Sequence, residues 1–434
     1  MRITLIMPRI SIAIKSTLVS KSQMQPLQLG ILAALIPGNI DIRLYDDRIE
    51  SISFDEPTDA VFITVETFTA KRAYEIADEY SKRNVPIIMG GIHVRLATTE
   101  VSEHCDSVVS GDAENILLEI IEDLRNNSLK PVYSCDACNP PQANLFPNRN
   151  IFLGKKYLPI SLVQFSRGCI HNCYFCASSA YFNQKHYCRD VKEVIEEIKL
   201  QKHKFIFFVD DNLIAEKDKA KELLEALIPL KIRWVSQGTI NMVYDKELMT
   251  LMVKSGCIGF IIGLESISPE SIAFMGKTIN KKGNLEKYRT EIAILRKWGL
   301  QTWATFTIGH DTDTVESIIK TVDWTIENKL TFATFNTLVP YPGTQLYAKL
   351  EAENRLLYNG KWWLADDYSY YHAAFLPKNM TPDELTNVSL FCRKKFTSMG
   401  SKITRLFEPK TNMRSLLRFA IYLACNPIFE RTAI

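Results

Sequence analysis

The chain has 434 residues, of which 46% are hydrophobic and 23% charged, and its formal net charge is +3. At ~100–200 residues per domain this length gives two or three domains. The balance excludes a disordered chain, a small disulfide scaffold and a strongly basic nucleic-acid binder. No apolar stretch reaches the ~20 residues that span a bilayer. The opening run M-R-I-T-L-I-M-P is too short for a signal peptide. A reducing, cytoplasmic setting is therefore expected, where the ten cysteines serve metals or catalysis more often than disulfides.

In chain order, short apolar runs predict strands at residues 3–7, 40–45, 60–65, 85–89 and 107–109. Helical periodicity predicts helices at 26–35, 71–82 and 114–124. This alternation reads as a doubly wound parallel sheet covered on both faces. Such sheets bind ligands at the carboxyl ends of their strands. Glu66, Thr67, Gly90, Gly91, His93, Gly111 and Asp112 fall there. Residues 126–158 break the rhythm with four prolines among Asn and Ser and read as a linker. A second series follows, with strands at 162–165, 205–209, 233–236, 259–263, 301–308 and 331–337. Helices lie between them, and the tail beyond about 381 is helical. Six β/α units predict a (β/α)6 partial barrel with its site at the carboxyl ends.

Directly after the first strand of that series stands S-R-G-C-I-H-N-C-Y-F-C, with Cys169, Cys173 and Cys176 on one loop. Closely spaced thiolates favour iron–sulfur or soft metal centres. Three of them leave one iron of a four-iron cluster open. A structural zinc site is the alternative and needs a fourth ligand from His171, His186 or Cys188. Buried inert thiols are the third reading.

This segment resembles the radical S-adenosylmethionine superfamily, whose signature is C-x3-C-x-aromatic-C; Phe175 fills the aromatic slot. The resemblance implies a [4Fe–4S] cluster on the three cysteines. Its open iron would bind S-adenosylmethionine, whose reductive cleavage yields a radical that abstracts hydrogen from an unactivated carbon. The runs at 207–212, 259–266, 306–311 and 339–344 are similar to successive strand-end segments of that family. They imply that Phe175, Asp210, Gly263, Glu265, Ser266 and Ile308 lie at S-adenosylmethionine. Residues 1–136 resemble the cobalamin-binding domain of one subgroup, through Q-P-L-Q-L-G, M-G-G-I-H and V-S-G-D-A-E. That implies a cobalamin site at Glu66, Thr67, Gly90, Gly91, His93, Gly111 and Asp112. The run D-x-H-x-x-G is missing, so either the cobalt has no histidine ligand or the domain is an empty relic.

The implied organisation is a cobalamin-type domain over 1–136, a linker over 137–155, a radical core over 156–378 and a helical region over 379–434. The implied activity is methylation of an unactivated carbon in a natural-product or lipid-like small molecule. It would use a one-electron reductant such as flavodoxin or ferredoxin and no nucleic acid. A non-methylating cyclisation, oxidation or rearrangement is the alternative in the same scaffold, and a zinc-stabilised binding protein without catalysis is the second. Cys135-x-x-Cys138 reads as an incidental pair. The aromatic group Trp362, Trp363, Tyr368, Tyr370, Tyr371 and His372 is divided between tail packing and a substrate lid. From Cys392 onward nine Lys or Arg stand against two Glu. Arg414 and Arg418 there mark a basic amphipathic helix, expected to dock on the barrel, with peripheral contact with an anionic membrane as the other reading.

Overall fold

The computed structural model describes residues 1–10, 23–135, 140–275 and 285–431. The fold is α/β, with two six-stranded sheets. In the first, β1 (Arg2–Met7), β2 (Asp41–Asp46), β3 (Ala60–Thr64), β4 (Ile87–Gly90), β5 (Ser107–Ser110) and β6 (Val132–Ser134) run in the order 2-1-3-4-5-6. Every pairing is parallel. These strands are apolar on both faces because helices cover both: Ala60 to Ile63 are all buried.

The second part begins with β7 (Ser161–Val163). A short antiparallel hairpin follows, β8 (Ser166–Gly168) with β9 (His186–Cys188). Next come β10 (Phe205–Phe208), β11 (Arg233–Gly238), β12 (Cys257–Glu265), β13 (Gln301–Ile308) and β14 (Phe332–Thr337). The parallel sheet has the order 7-10-11-12-13-14, so β7 and β14 are open edges and the barrel is partial. Along β13, Ala304, Phe306 and Ile308 are buried under the helices, whereas Trp303, Thr305 and Thr307 face the more accessible lumen. Phe306 stacks on Phe335 of β14, with ring centroids 5.4 Å apart. Capping sets the helix starts: Thr314 and Ser317 form a capping box at Val315–Glu327, and Thr381 and Glu384 form another at Pro382–Thr397.

Three readings change. The stretch taken as linker holds β6, whose three residues are too few to show alternation. The cysteine loop stands on the β8–β9 hairpin, which the sequence pattern did not reveal. Trp362, Trp363 and Tyr368 are buried against the first sheet's helices rather than the barrel, which favours packing over a lid for these three. Cys138 lies outside the described residues. The basic face of the last helix, Leu416–Arg431, and of the turn before it docks on the barrel. Arg414 donates to the Trp298 carbonyl at 2.9 Å and Arg418 to the Ile258 carbonyl at 2.5 Å. Among the described residues no helix is long and apolar enough to cross a membrane.

Candidate active site

The cysteine loop is held from below by two adjacent carboxylates. Asp210, fully buried just after β10, accepts from the Phe165 amide at 3.3 Å and from both the amide and the hydroxyl of Ser166. Burial pushes its carboxyl up to about 7, against the pull of the Ser166 and backbone donors. Asp211 accepts from the Gly168 amide at 3.2 Å and the Ser178 hydroxyl at 2.7 Å. Asp210, expected at S-adenosylmethionine, is therefore a buried brace for the loop. Cys169, Cys173 and Cys176 are all half-buried. The Cys176 amide donates to the Cys173 carbonyl at 3.0 Å, and Cys176 is the N-cap of the helix Ala177–Phe182. Burial raises the Cys169 thiol, with a side-chain bond from Asn212 among the groups opposing it.

Among the described residues one group brings three metal-ligating atoms within 4.8 Å of one another: His186, Cys188 and Glu216. His186 and Cys188, considered as a fourth zinc ligand for the cysteine loop, thus turn towards Glu216 instead. The loop's three sulfurs do not form such a group. Zinc–sulfur bonds of ~2.3 Å need sulfurs roughly 3.8 Å apart, whereas separate irons of a cluster hold theirs wider.

At the carboxyl ends of β12 and β13 a pocket of about 180 Å³ is lined by Glu265, Ser266, Thr307, Ile308, Ser317 and Thr321. Glu265 takes a left-handed conformation (φ 66) where the β12–β13 register slips between Gly263 and Glu265. That strain turns the carboxylate out of the ladder. A chain of contacts leads to it from the cysteine loop. The Tyr174 hydroxyl lies 2.9 Å from His310 Nδ1, His310 Nε2 lies 3.0 Å from Thr307 Oγ1, and Thr307 donates to Glu265 at 3.4 Å. Burial lowers the His310 pKa, against the pull of Asp313 and Glu265, and so favours the neutral ring. Tyr174 then donates to Nδ1 and Nε2–H donates onward. Phe175 packs at its edge, 6.1 Å from the His310 ring. Gly263 lies on the lumen side of β12 with Glu265. Sequence reasoning missed Tyr174, Thr307 and His310; the signal was a histidine two residues beyond a strand end.

A larger cleft, about 400 Å³, opens between the carboxyl end of the first sheet and the barrel. Glu66, Gly90, Gly91, Gly111 and Asp112 line it, with Gln164 and Arg167 opposite. It continues as an apolar slot along the sheet, bounded by Leu27, Ile31, Phe62, Ile88 and Leu117. Glu66 presents an accessible side chain to this cleft, and the surrounding protein pushes its carboxyl up, with Arg48 opposing. Gly91 and Gly111 have positive φ (120 and 115), and an added Cβ would come within 2.6 Å of the Val65 carbonyl and 2.2 Å of the Cys135 carbonyl. They serve chain crossings. At Gly90 an added Cβ would meet nothing nearer than Val109 at 3.6 Å, so the room it leaves belongs to the cleft.

Thr67 and His93 do not line the cleft. His93 is fully buried behind it, with Nδ1 3.1 Å from Thr67 Oγ1 and Nε2 3.4 Å from Glu100. Glu100 also accepts from Tyr74 at 3.0 Å and Trp363 at 2.8 Å. No histidine among the described residues lines the cleft. Near where a histidine run would fall, buried Asp46 pairs with Arg48 at 2.7 Å and accepts from Tyr157 at 3.0 Å. The flat room at Gly90 and the apolar slot beside it would suit a large planar cofactor that takes no ligand from a protein histidine.

Residues 163–325 match the Radical SAM superfamily. A bacteriochlorophyllide d C-12(1)-methyltransferase of Chlorobaculum tepidum is 30% identical over 372 residues, covering 83% of this chain and 80% of that protein. The chain belongs to the radical S-adenosylmethionine superfamily. A second Chlorobaculum tepidum protein, bacteriochlorophyllide d C-8(2)-methyltransferase, is 32% identical over 74% of this chain and 75% of its own length. Among solved structures, TsrM from Kitasatospora setae, a radical S-adenosylmethionine methyltransferase with cobalamin and a [4Fe–4S] cluster bound, superposes with a TM-score of 0.64. It is 17% identical and covers 81% of this chain and 78% of its own. The protein is thus a radical S-adenosylmethionine enzyme, related in sequence to methyltransferases of that superfamily. The cofactors of that superfamily are a [4Fe–4S] cluster and S-adenosylmethionine.

Proposed function

We propose that this enzyme methylates an unactivated carbon of a bulky, largely apolar small molecule, a natural product or a lipid-like compound. Cys169, Cys173 and Cys176 would hold the cluster, and Glu265 and Ser266, with Gly263, Phe175 and Ile308 about them, would hold S-adenosylmethionine. Glu66, Gly90, Gly91, Gly111 and Asp112 would face cobalamin. Residues 1–136 would form the cobalamin-type domain, 137–155 the linker, 156–378 the radical core and 379–434 the helical region. The observation that carries this reading is the facing of two strand-end sites, the cleft beside Gly90 and the cysteine loop, across the seam bridged by Arg167.

When bound, these cofactors supply one-electron cleavage of S-adenosylmethionine and the methyl group that is transferred. The chain's residues supply the rest. Asp210 and Asp211 fix the loop, so the thiolates keep their spacing. Glu265 accepts hydrogen bonds from a ribose. Phe68, Tyr341 and Tyr370 pack edge to face at the seam, with centroids 4.7–6.0 Å from Phe68. This aromatic wall excludes water from a reactive radical and suits a polycyclic substrate such as the one the two bacteriochlorophyllide enzymes are named for. A one-electron donor such as flavodoxin or ferredoxin completes the system.

The test is anaerobic turnover with methyl-labelled S-adenosylmethionine and candidate polycyclic substrates. Label in the product supports methyl transfer. Formation of 5′-deoxyadenosine with an unlabelled, altered product supports the cyclisation or oxidation alternative. Stoichiometric zinc without iron in the reconstituted protein supports the non-catalytic one.

A peripheral membrane location on the cytoplasmic side is a second reading. Its support is the apolar face of the last helices: Met399, Ile403 and Phe407 are 68, 51 and 57% exposed and recur every four residues, and Leu416 is 88% exposed. Lys402 and Lys410 lie among them in sequence, as contact with anionic lipid requires. Equal sedimentation of the parent protein and an Ile403→Glu/Leu416→Glu variant with anionic vesicles overturns it.

A further inference from the structure

We propose that His186, Cys188 and Glu216 form a second metal site, for a zinc-like divalent cation, separate from the cysteine loop and clamping its base. His186 and Cys188 sit two apart on β9, and alternation puts both side chains on one face of that strand. Glu216 comes from the next β/α unit, immediately before the helix Lys217–Leu227. The three converge across the fold. His186 Nδ1 lies 2.9 Å and Cys188 Sγ 3.9 Å from the same Glu216 oxygen, and all three ligand atoms lie within 4.8 Å of one another.

Zinc bonds of ~2.0–2.3 Å place tetrahedral donors roughly 3.3–3.8 Å apart, so an ion enters with side-chain shifts of up to about 1 Å. One nitrogen, one sulfur and one oxygen suit borderline-soft zinc, whereas magnesium or calcium favours oxygen alone. The His186 side chain is 2% exposed and so is held in place, while that of Glu216 is 48% exposed and gives entry and a fourth position for water.

The site's place in the fold gives its role. Gly168 of β8 pairs directly with His186 of β9, and Cys169 follows Gly168. An ion at His186, Cys188 and Glu216 ties the strand beneath the cysteine loop to the start of a barrel helix. It adds a rigid anchor on the side away from Arg167.

The experiment uses the full chain in two forms, the parent protein and a Cys169→Ala/Cys173→Ala/Cys176→Ala variant. Both are stripped with chelator and titrated anaerobically with zinc alone, and metals are counted by mass spectrometry. We expect one zinc per chain in the triple variant, and one zinc beside four irons in the reconstituted parent. His186→Ala or Cys188→Ser should weaken zinc binding at least tenfold. In a cobalt(II)-loaded protein the thiolate charge-transfer band should vanish with Cys188→Ser. Substoichiometric zinc in the folded triple variant overturns the proposal, as does zinc unaffected by both substitutions. If the triple variant does not fold, the zinc-to-iron ratio of the parent and its Cys188→Ser form decides the question.

Discussion

Arg167 grips Asp112 at 2.9 Å, and a second guanidinium nitrogen reaches Glu114 at 2.7 Å. The residue two before Cys169 is thereby fastened to the end of β5, and the cleft beside Gly90 is fixed relative to the cysteine loop. All three side chains are 11–17% exposed, so solvent screens the pair weakly. Arg167→Met leaves two enclosed carboxylates without their cation, at a cost of about 3–5 kcal/mol. Arg167→Lys recovers part of this, because one ammonium cannot fork across two carboxylates. Denaturant unfolding of both variants checks the order parent, Lys, Met. A Met variant as stable as the parent contradicts the role given to the fork.

Glu100 and Asp210 give opposite pH dependences. Burial acts to raise the Glu100 carboxyl, but bonds from His93, Trp363, Lys361 and Tyr74 outweigh it and hold the group at about 2. Its folded value lies below its unfolded one, so its contribution is present above ~4.5 and is lost as pH falls towards about 2. The size is on the order of 3 kcal/mol. Asp210 is raised to about 7, so its contribution is full below ~3.9 and disappears as pH rises through about 7. Unfolding midpoints at pH 3.5, 5 and 7 test both. Glu100→Gln should lose stability mainly at the upper two, and Asp210→Asn should remove a decline between them.

Cys173→Ala should abolish iron retention and all cleavage of S-adenosylmethionine. Asp210→Ala should lower iron retention as well, because the Phe165 and Ser166 amides lose their acceptor, while the residual loaded enzyme keeps its affinity for S-adenosylmethionine. Iron analysis and a binding isotherm on the same samples separate a brace from a cofactor contact. Weakened affinity with full iron would return Asp210 to the cofactor.

His310→Ala breaks the chain from Tyr174 to Glu265 in its middle. Loss of one bond of ~1 kcal/mol should weaken S-adenosylmethionine binding about fivefold and leave iron content unchanged. His310→Gln, which can both accept and donate, should restore part of it. Unchanged binding in the Ala variant would show that Glu265 is positioned by its own backbone.

Gly90→Leu should leave folding intact, since a Cβ there meets only Val109 at ordinary contact distance, and should abolish cobalamin retention. Gly91→Leu should destabilise the fold itself, because its Cβ strikes the Val65 backbone. Cobalamin absorbance after gel filtration, with melting curves, distinguishes the two glycines.

The sequence by itself determined the architecture and the chemistry class. Strand and helix periods are local properties, and β13 occupies the span that periodicity predicts. Three thiols within eight residues carry their meaning in their spacing. What only the tertiary structure decided are the assignments that depend on which way a side chain points. Asp210 and His93 stand at strand ends beside true lining positions such as Glu66, and one residue of offset turns a side chain from the cleft into the core. The hairpin β8–β9 was invisible because three-residue strands show no period. The meetings of Arg167 with Asp112, and of His186 with Glu216, join residues 55 and 30 apart. No local pattern encodes such distances; they exist because the packed sheets bring distant strand ends to one seam.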